Sequence, residues 1–192
     1  MRVLVACEFS GIVREEFRKI GHDAWSCDLL PTEIPGQHIQ DDVLKHLDDG
    51  WDLMIAHPPC THLAVSGARH FHKKKMEQEL ELRFVRRLMD ASIEKICIEN
   101  PVSIISSRIR KSDQMVNPWM FGDEFSKRTC FWLKNLPKLK PTKIVGKGEI
   151  QVMSTGNRMP KWYNKARNDL KTRQRTFPGI AKAMAEQWGK SK

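Results

Sequence analysis

The chain is 192 residues long, 40% hydrophobic and 29% charged, which fits one folded domain of ordinary size and excludes a disordered chain. No apolar run approaches the roughly 20 residues of a membrane-spanning helix. The short apolar start, residues 1–7, meets Glu8 with no cleavage signal after it, which argues for a cytoplasmic protein. The net charge of +10 is unevenly placed. Residues 1–60 carry 5 Lys/Arg against 11 Asp/Glu, residues 61–125 carry 11 against 9, and residues 126–192 carry 17 against 3, a local excess of +14. Such asymmetry suggests a surface for a polyanion at one end of the molecule, or else a solvated basic face.

In chain order, residues 2–7 read as a strand buried on both faces, and Glu8-Phe9-Ser10-Gly11 as a turn. Helical spacing over 12–20 ends at Gly21. A strand over 24–27 stops at Asp28, and a polar loop leads to Asp41-Asp42-Val43 and a short helix before Gly50. A strand over 52–56 stops at His57-Pro58-Pro59-Cys60. Residues 76–89 read as a helix with Leu80, Phe84, Val85 and Leu88 on its apolar face. A strand over 95–98 stops at Glu99-Asn100-Pro101. This alternation predicts an α/β domain, a mostly parallel sheet with helices on both faces. Residues 131–133 and 143–145 are further strand candidates. Residues 146–174, rich in Gly, Asn, Lys and Arg, read as a surface loop. A terminal helix contains Ile180, Ala181, Ala183, Met184 and Trp188.

The apolar strands end in Glu8, Asp28, Cys60 and Glu99. Ligands of open α/β sheets bind at the carboxyl ends of the strands, so these four groups are expected to converge. Glu8-Phe9-Ser10-Gly11 is either a tight strand–helix turn or a loop where a ligand approaches the backbone and the amides of the helix start. It lacks the Gly-x-Gly-x-x-Gly run of a pyrophosphate loop. Asp28 suits a ribose hydroxyl or caps a turn. Two prolines present Cys60 rigidly, as a nucleophile or as a packed thiol. Glu99, if its pKa is raised by burial, can donate to a ring nitrogen; the bland alternative is a carboxylate satisfied by backbone donors. His57, Cys60, His62, His70 and His72 are a competing metal-ligand set, without zinc-finger spacing. The five cysteines, Cys7, Cys27, Cys60, Cys97 and Cys130, form no Cys-x-x-Cys pair and read as reduced thiols.

Taken in order, these motifs resemble the cytosine-5 DNA methyltransferases, and most closely the short methyltransferase-like proteins of bacteriophages and bacteria. Phe9-Ser10-Gly11 resembles that family's cofactor turn without its second Gly. Pro59-Cys60 matches its nucleophile motif, and Glu99-Asn100-Pro101 its Glu-Asn-Val motif. The resemblance implies a Rossmann-like methyltransferase fold and S-adenosyl-L-methionine as cofactor, with Glu8, Phe9, Ser10, Gly11, Asp28, Asp42 and Pro58 around it. It implies Cys60, Glu99 and Arg128 as catalytic residues, Arg128 standing for the family's Arg-x-Arg element with Lys127 beside it. Pro59, Asn100, Lys127, Arg158, Lys161, Trp162 and Arg167 would meet DNA. Residues 1–192 are expected to form a single domain in which a basic insert, 134–175, replaces the family's target-recognition domain. A separate partner for target recognition is compatible with that. The implied reaction is methyl transfer to carbon 5 of cytosine through a Cys60 adduct, with short or no sequence specificity. A non-catalytic nucleic-acid-binding protein, or methyl transfer to RNA or a nucleotide, are the alternatives.

Overall fold

The structure, a computed structural model, describes residues 1–154, 156, 158–165, 169 and 175–190. In chain order its main elements are β1 (Arg2–Ala6), α1 (Ile12–Lys19), β2 (Asp23–Cys27), β3 (His38–Ile39), β4 (Leu53–Ala56), α2 (Lys75–Met89), β5 (Lys95–Pro101), α3 (Ile105–Arg108), β6 (Gln114–Val116) and β7 (Thr129–Lys134). A hairpin of β8 (Ile150–Val152) and β9 (Arg158–Pro160), a short α4 (Lys161–Lys165) and the terminal α5 (Pro178–Trp188) follow.

The described strands form a seven-stranded sheet of order β3-β2-β1-β4-β5-β7-β6, with β8 and β9 apart from it. The first five are parallel neighbours, while β7 runs antiparallel to β5 and β6. Period-two alternation divides the apolar residues between the two faces. Leu4, Ala6, Met54, Ile96, Ile98 and Trp132 pack toward Leu82, Val85 and Leu88 of α2. Val3, Val5, Leu53, Ile55 and Phe131 pack toward Val13 and Phe17 of α1 and Ile180, Met184 and Trp188 of α5. The terminal helix therefore lies beside the first. The expected α/β architecture is what the chain adopts.

The local expectations differ in several places. Leu80 is 56% exposed, and α2 instead buries Gln78, Leu82, Val85 and Leu88, because Gln78 turns inward to donate to the His62 carbonyl. Residues 143–145 form no strand. The Lys143 and Val145 amides go to the Met120 and Trp119 carbonyls of the turn at Pro118–Met120, and β6 takes the sheet edge. The stretch read as a surface loop contains the β8–β9 hairpin and α4. A 3-10 helix over Val65–Lys73 precedes α2, where no element was expected.

The loop between β2 and β3 is tied down by one buried cation. Arg14 of α1 is fully buried. It donates from Nη1 to Ser26 Oγ and Thr32 Oγ1, from Nη2 to the Ile34 carbonyl, and from Nε to Glu15. Removing one partner of such a network leaves buried acceptors unsatisfied. Arg14→Ala is expected to lower stability by about 3 kcal/mol or more, read as a shift of the urea unfolding midpoint, and to open the 29–36 loop to proteolysis.

Candidate active site

β1, β2, β4 and β5 all end on one side of the sheet, and a cavity of about 330 Å³ lies there. Its wall near β1 holds Cys7, Glu8, Phe9 and Ser10, with Asp28 from the end of β2. His57, Pro58, Pro59 and Cys60 follow β4, and Glu99 and Asn100 end β5. Lys127, Trp162, Arg175 and Thr176 close it from the last third of the chain.

The β1 loop is shaped by a carboxylate. Glu8, 4% exposed, accepts from the Val13 amide at 2.7 Å, the Arg14 amide at 3.3 Å and the Ser10 hydroxyl at 3.1 Å. It caps α1 from ahead of the helix, where Gly11, at φ +75°, offers no side-chain cap. A Cβ on Gly11 would lie 2.7 Å from Arg14 Nη2 and 3.2 Å from Ile34 Cβ, so this position needs glycine on both counts. The helix-start amides expected to face a ligand are therefore occupied by Glu8, and a phosphate finds a carboxylate in its way. Burial pushes the Glu8 carboxyl up, with His57, the two amides and Ser10 opposing it. Cys7 adopts a left-handed φ of 58°, and burial, then the Asp28 charge, pushes its thiol well up, so it stays protonated.

Asp28 uses Oδ1 for the Leu30 amide at 2.9 Å, while its Oδ2 has no hydrogen bond among the described residues. Asp42 caps the short helix Val43–Lys45 through the Leu44 amide and does not line the cavity. Phe9, 7% exposed, lines it, and its carbonyl holds the Glu33 amide at 2.8 Å.

On the other side, Asn100 is 1% exposed and donates to the Pro58 carbonyl at 3.0 Å. Its amide fixes the Pro-Pro-Cys loop, a strut where a nucleic-acid contact was expected. Cys60 is half-buried at the cavity, and its carbonyl starts a turn by accepting from the Leu63 and Ala64 amides. Glu99 Oε2 lies 3.1 Å from His57 Nδ1. Burial pushes the Glu99 carboxyl up, but the His57 hydrogen bond and the charges of Lys127 and His57 outweigh it and hold it below its usual range. The expectation of a raised Glu99 is thus corrected. His57 and Lys127 supply the compensation that burial alone lacks.

Two assignments in the basic region also change. Lys127 lines the cavity, whereas Arg128 is exposed and lies on the Cys130 side, as strand alternation into β7 requires. Trp162 enters the cavity wall, packed edge-on against Phe125 and Phe177 with centroids at 5.8 and 5.5 Å. Arg158 is exposed on β9, and Lys161 pairs with Glu149 at 2.5 Å, both away from the cavity lining. Arg167 lies outside the described residues.

Three contributors escaped the sequence reading. Arg175 bonds Glu33 at 2.8 Å across 142 residues, and Thr176 follows it. His57 was weighed only as a metal ligand, although it is the first residue beyond β4 and the strand-end rule points to it directly. Among the described residues no group of three or more His, Cys, Asp or Glu side chains is placed to hold a metal ion. His57 is engaged with Glu99 and His62 with Glu81.

No family model matches the chain, and no curated protein matches it. Among solved structures it is similar to a protein described as a DNA modification methyltransferase encoded within an E. coli prophage, with 15% identity and a TM-score of 0.52. The match covers 76% of this chain and 52% of that one. The chain thus shares its α/β fold with that neighbour and spans about half its length. Among the described residues no helix is long and apolar enough to cross a membrane.

A lowered carboxyl contributes stability above its unfolded pKa and loses it as pH falls through its folded pKa. Glu99→Gln is therefore expected to cost about 1–3 kcal/mol near neutral pH. The gap to wild type closes below about pH 4, as urea titrations at several pH values will show.

Proposed function

We propose that the chain transfers a methyl group from S-adenosyl-L-methionine to carbon 5 of cytosine in DNA. The observation that carries this reading is the convergence of Cys60 with the His57–Glu99 pair in one cavity, opposite Phe9 and Asp28. The donor set suits this cofactor. Phe9 offers a ring for the adenine, Asp28 Oδ2 an acceptor for ribose hydroxyls, and Glu8 at the start of α1 favours a cationic group over a phosphate. Gly11, Ser10 and Asp42 act by shaping the loops behind this wall, and Pro58 by packing against it. When bound, the cofactor supplies an electrophilic methyl group.

The residues of the chain prepare the base. Carbon 5 of cytosine is a weak nucleophile. The Cys60 thiolate adds to carbon 6, and a proton delivered at ring N3 by Glu99 makes that addition easier. Lys127, next to Glu99 in the cavity, is placed for the 2-oxo group or a phosphate, the role first given to Arg128. After methyl transfer the proton on carbon 5 leaves to water or a base, and Cys60 is eliminated. In duplex DNA the base must leave the stack, at roughly a few kcal/mol. The +14 segment, residues 126–192, supplies the charge for the phosphates.

The place of Trp162 in the cavity wall favours a second reading, methyl transfer to a single nucleotide stacked on that ring. Purified protein with methyl-labelled cofactor and mixed-sequence duplex DNA separates the two. Wild type is expected to form labelled 5-methylcytosine, and Cys60→Ala none, while still binding the cofactor. Full activity in Cys60→Ala would sink the nucleophile assignment. DNA affinity is expected to fall steeply with salt; salt-insensitive binding together with labelled free nucleotide would select the second reading.

A further inference from the structure

Glu8 lies two residues past β1, His57 one residue past β4 and Glu99 near the end of β5, on three adjacent strands, so an imidazole stands between two carboxyl groups in the cavity lining. Its position is fixed by the backbone. The His57 amide donates to the Ala6 carbonyl at 2.9 Å, continuing the β1–β4 ladder by one residue. The side chain is 8% exposed. Nδ1 contacts Glu99 Oε2 at 3.1 Å, and Nε2 is buried with no hydrogen-bond partner among the described residues. An ionised carboxylate only accepts, so the hydrogen of the His57–Glu99 contact is on Nδ1.

The charged groups around the pair come from every side of the floor. Glu8 acts on the imidazole from the β1 loop, Lys127 acts on Glu99 from ahead of β7, and Cys60 lies farther along the loop of His57 itself. Glu8 has its own oxygens bound to the Val13 and Arg14 amides and the Ser10 hydroxyl. Its carboxyl is pushed up by burial, with His57 among the groups that oppose the rise.

On the cytosine reading above, Glu99 must give a proton to ring N3, yet the site as it stands holds Glu99 as a carboxylate. We propose that His57 supplies that proton and is the positioning residue through which Glu99 becomes an acid. As the base enters, the Nδ1–H bond of the imidazolium breaks and an O–H bond forms on Glu99. That O–H is the donor to N3. His57 is left neutral with its hydrogen on Nε2. When the ring is released, N3 returns the proton by the same route, so the exchange needs no outside reagent.

The test has two arms. In the first, 5-methylcytosine formation is followed against pH for wild type, His57→Asn and His57→Gln. Asn keeps a donor toward Glu99 but cannot release a proton. It is expected to lose about 100-fold in turnover near neutral pH, and to regain most of it as the medium becomes acidic enough to protonate Glu99 from solvent. Cofactor binding stays intact. A loss equal at every pH, or a wild-type profile in both variants, would overturn the proposal.

The second arm needs no activity. Nitrogen-15 imidazole spectra of the full chain are compared between wild type and Glu99→Gln. The His57 signals should show a hydrogen on Nδ1 in wild type and a smaller protonated fraction, at the same pH, in the variant. An unchanged fraction would overturn the pairing. If wild type forms no 5-methylcytosine on any DNA, the cytosine reading fails by itself, and this arm still decides the proton-sharing pair.

Discussion

Three parallel strands in register place the chemical groups of this protein. Ala6 lies opposite Ala56, and Ala56 opposite Ile98. The residues that follow Ala56 and Ile98, His57 and Glu99, therefore emerge side by side at one edge of the sheet, and Glu8 comes in from the turn after Cys7. Val3, Leu4, Val5, Leu53, Met54 and Ile55 are fully buried, so a slip of one residue in any of these strands would turn its core side chains to the wrong face. The packing that fixes the register also fixes the spacing of the His57 imidazole and the Glu99 carboxyl. Polar groups can be held at the floor of a cavity because the apolar strands behind them have no alternative pairing.

The two acids are driven in opposite directions by what surrounds them. Both are buried, and burial raises both. At Glu8 that cost dominates, although helix amides and Ser10 oppose it. At Glu99 a hydrogen bond from His57 and the charge of Lys127 reverse the sign. Carboxyl groups separated in this way can take different roles within one site. Glu8 closes the start of α1 by accepting from its amides, whereas Glu99 faces the cavity with one oxygen on His57. The sheet order puts the imidazole where both charges act on it, and no other neighbour among the described residues bonds its Nε2.

Much of this frame was legible in the sequence, because the strands are continuous apolar runs and each halts at a polar residue. The parallel sheet and the gathering of Glu8, Asp28, Cys60 and Glu99 follow from those runs. What escaped the sequence depends on side-chain partners distant in the chain. Asn100 reaches back 42 residues to the Pro58 carbonyl, and Glu99 the same distance to His57. Neither link leaves a periodicity to read. The choice between Lys127 and Arg128 turns on where β7 begins, and a boundary error of one residue exchanges the two faces. The hairpin after β7 was hidden because its strands are three residues each, too short for alternation to stand out from a polar background.

The uneven charge of the chain acquires a meaning from the site. The acidic first third supplies Glu8, Asp28 and Glu33, and the basic last third supplies Lys127 and Arg175. The two regions meet where Arg175 bonds Glu33, and Lys127 reaches from the basic region to Glu99 of the middle segment. A cationic small molecule is favoured on the β1 side, and an anionic substrate is favoured from the side of β7 and the hairpin. The proposed reaction, between a positively charged methyl donor and a phosphate-bearing acceptor, needs that division, since one uniform field would repel one of the two ligands. Trp162 stands at the boundary between them, held edge-on by Phe125 and Phe177. Through Trp162, α4 joins the cavity wall that also holds Cys60.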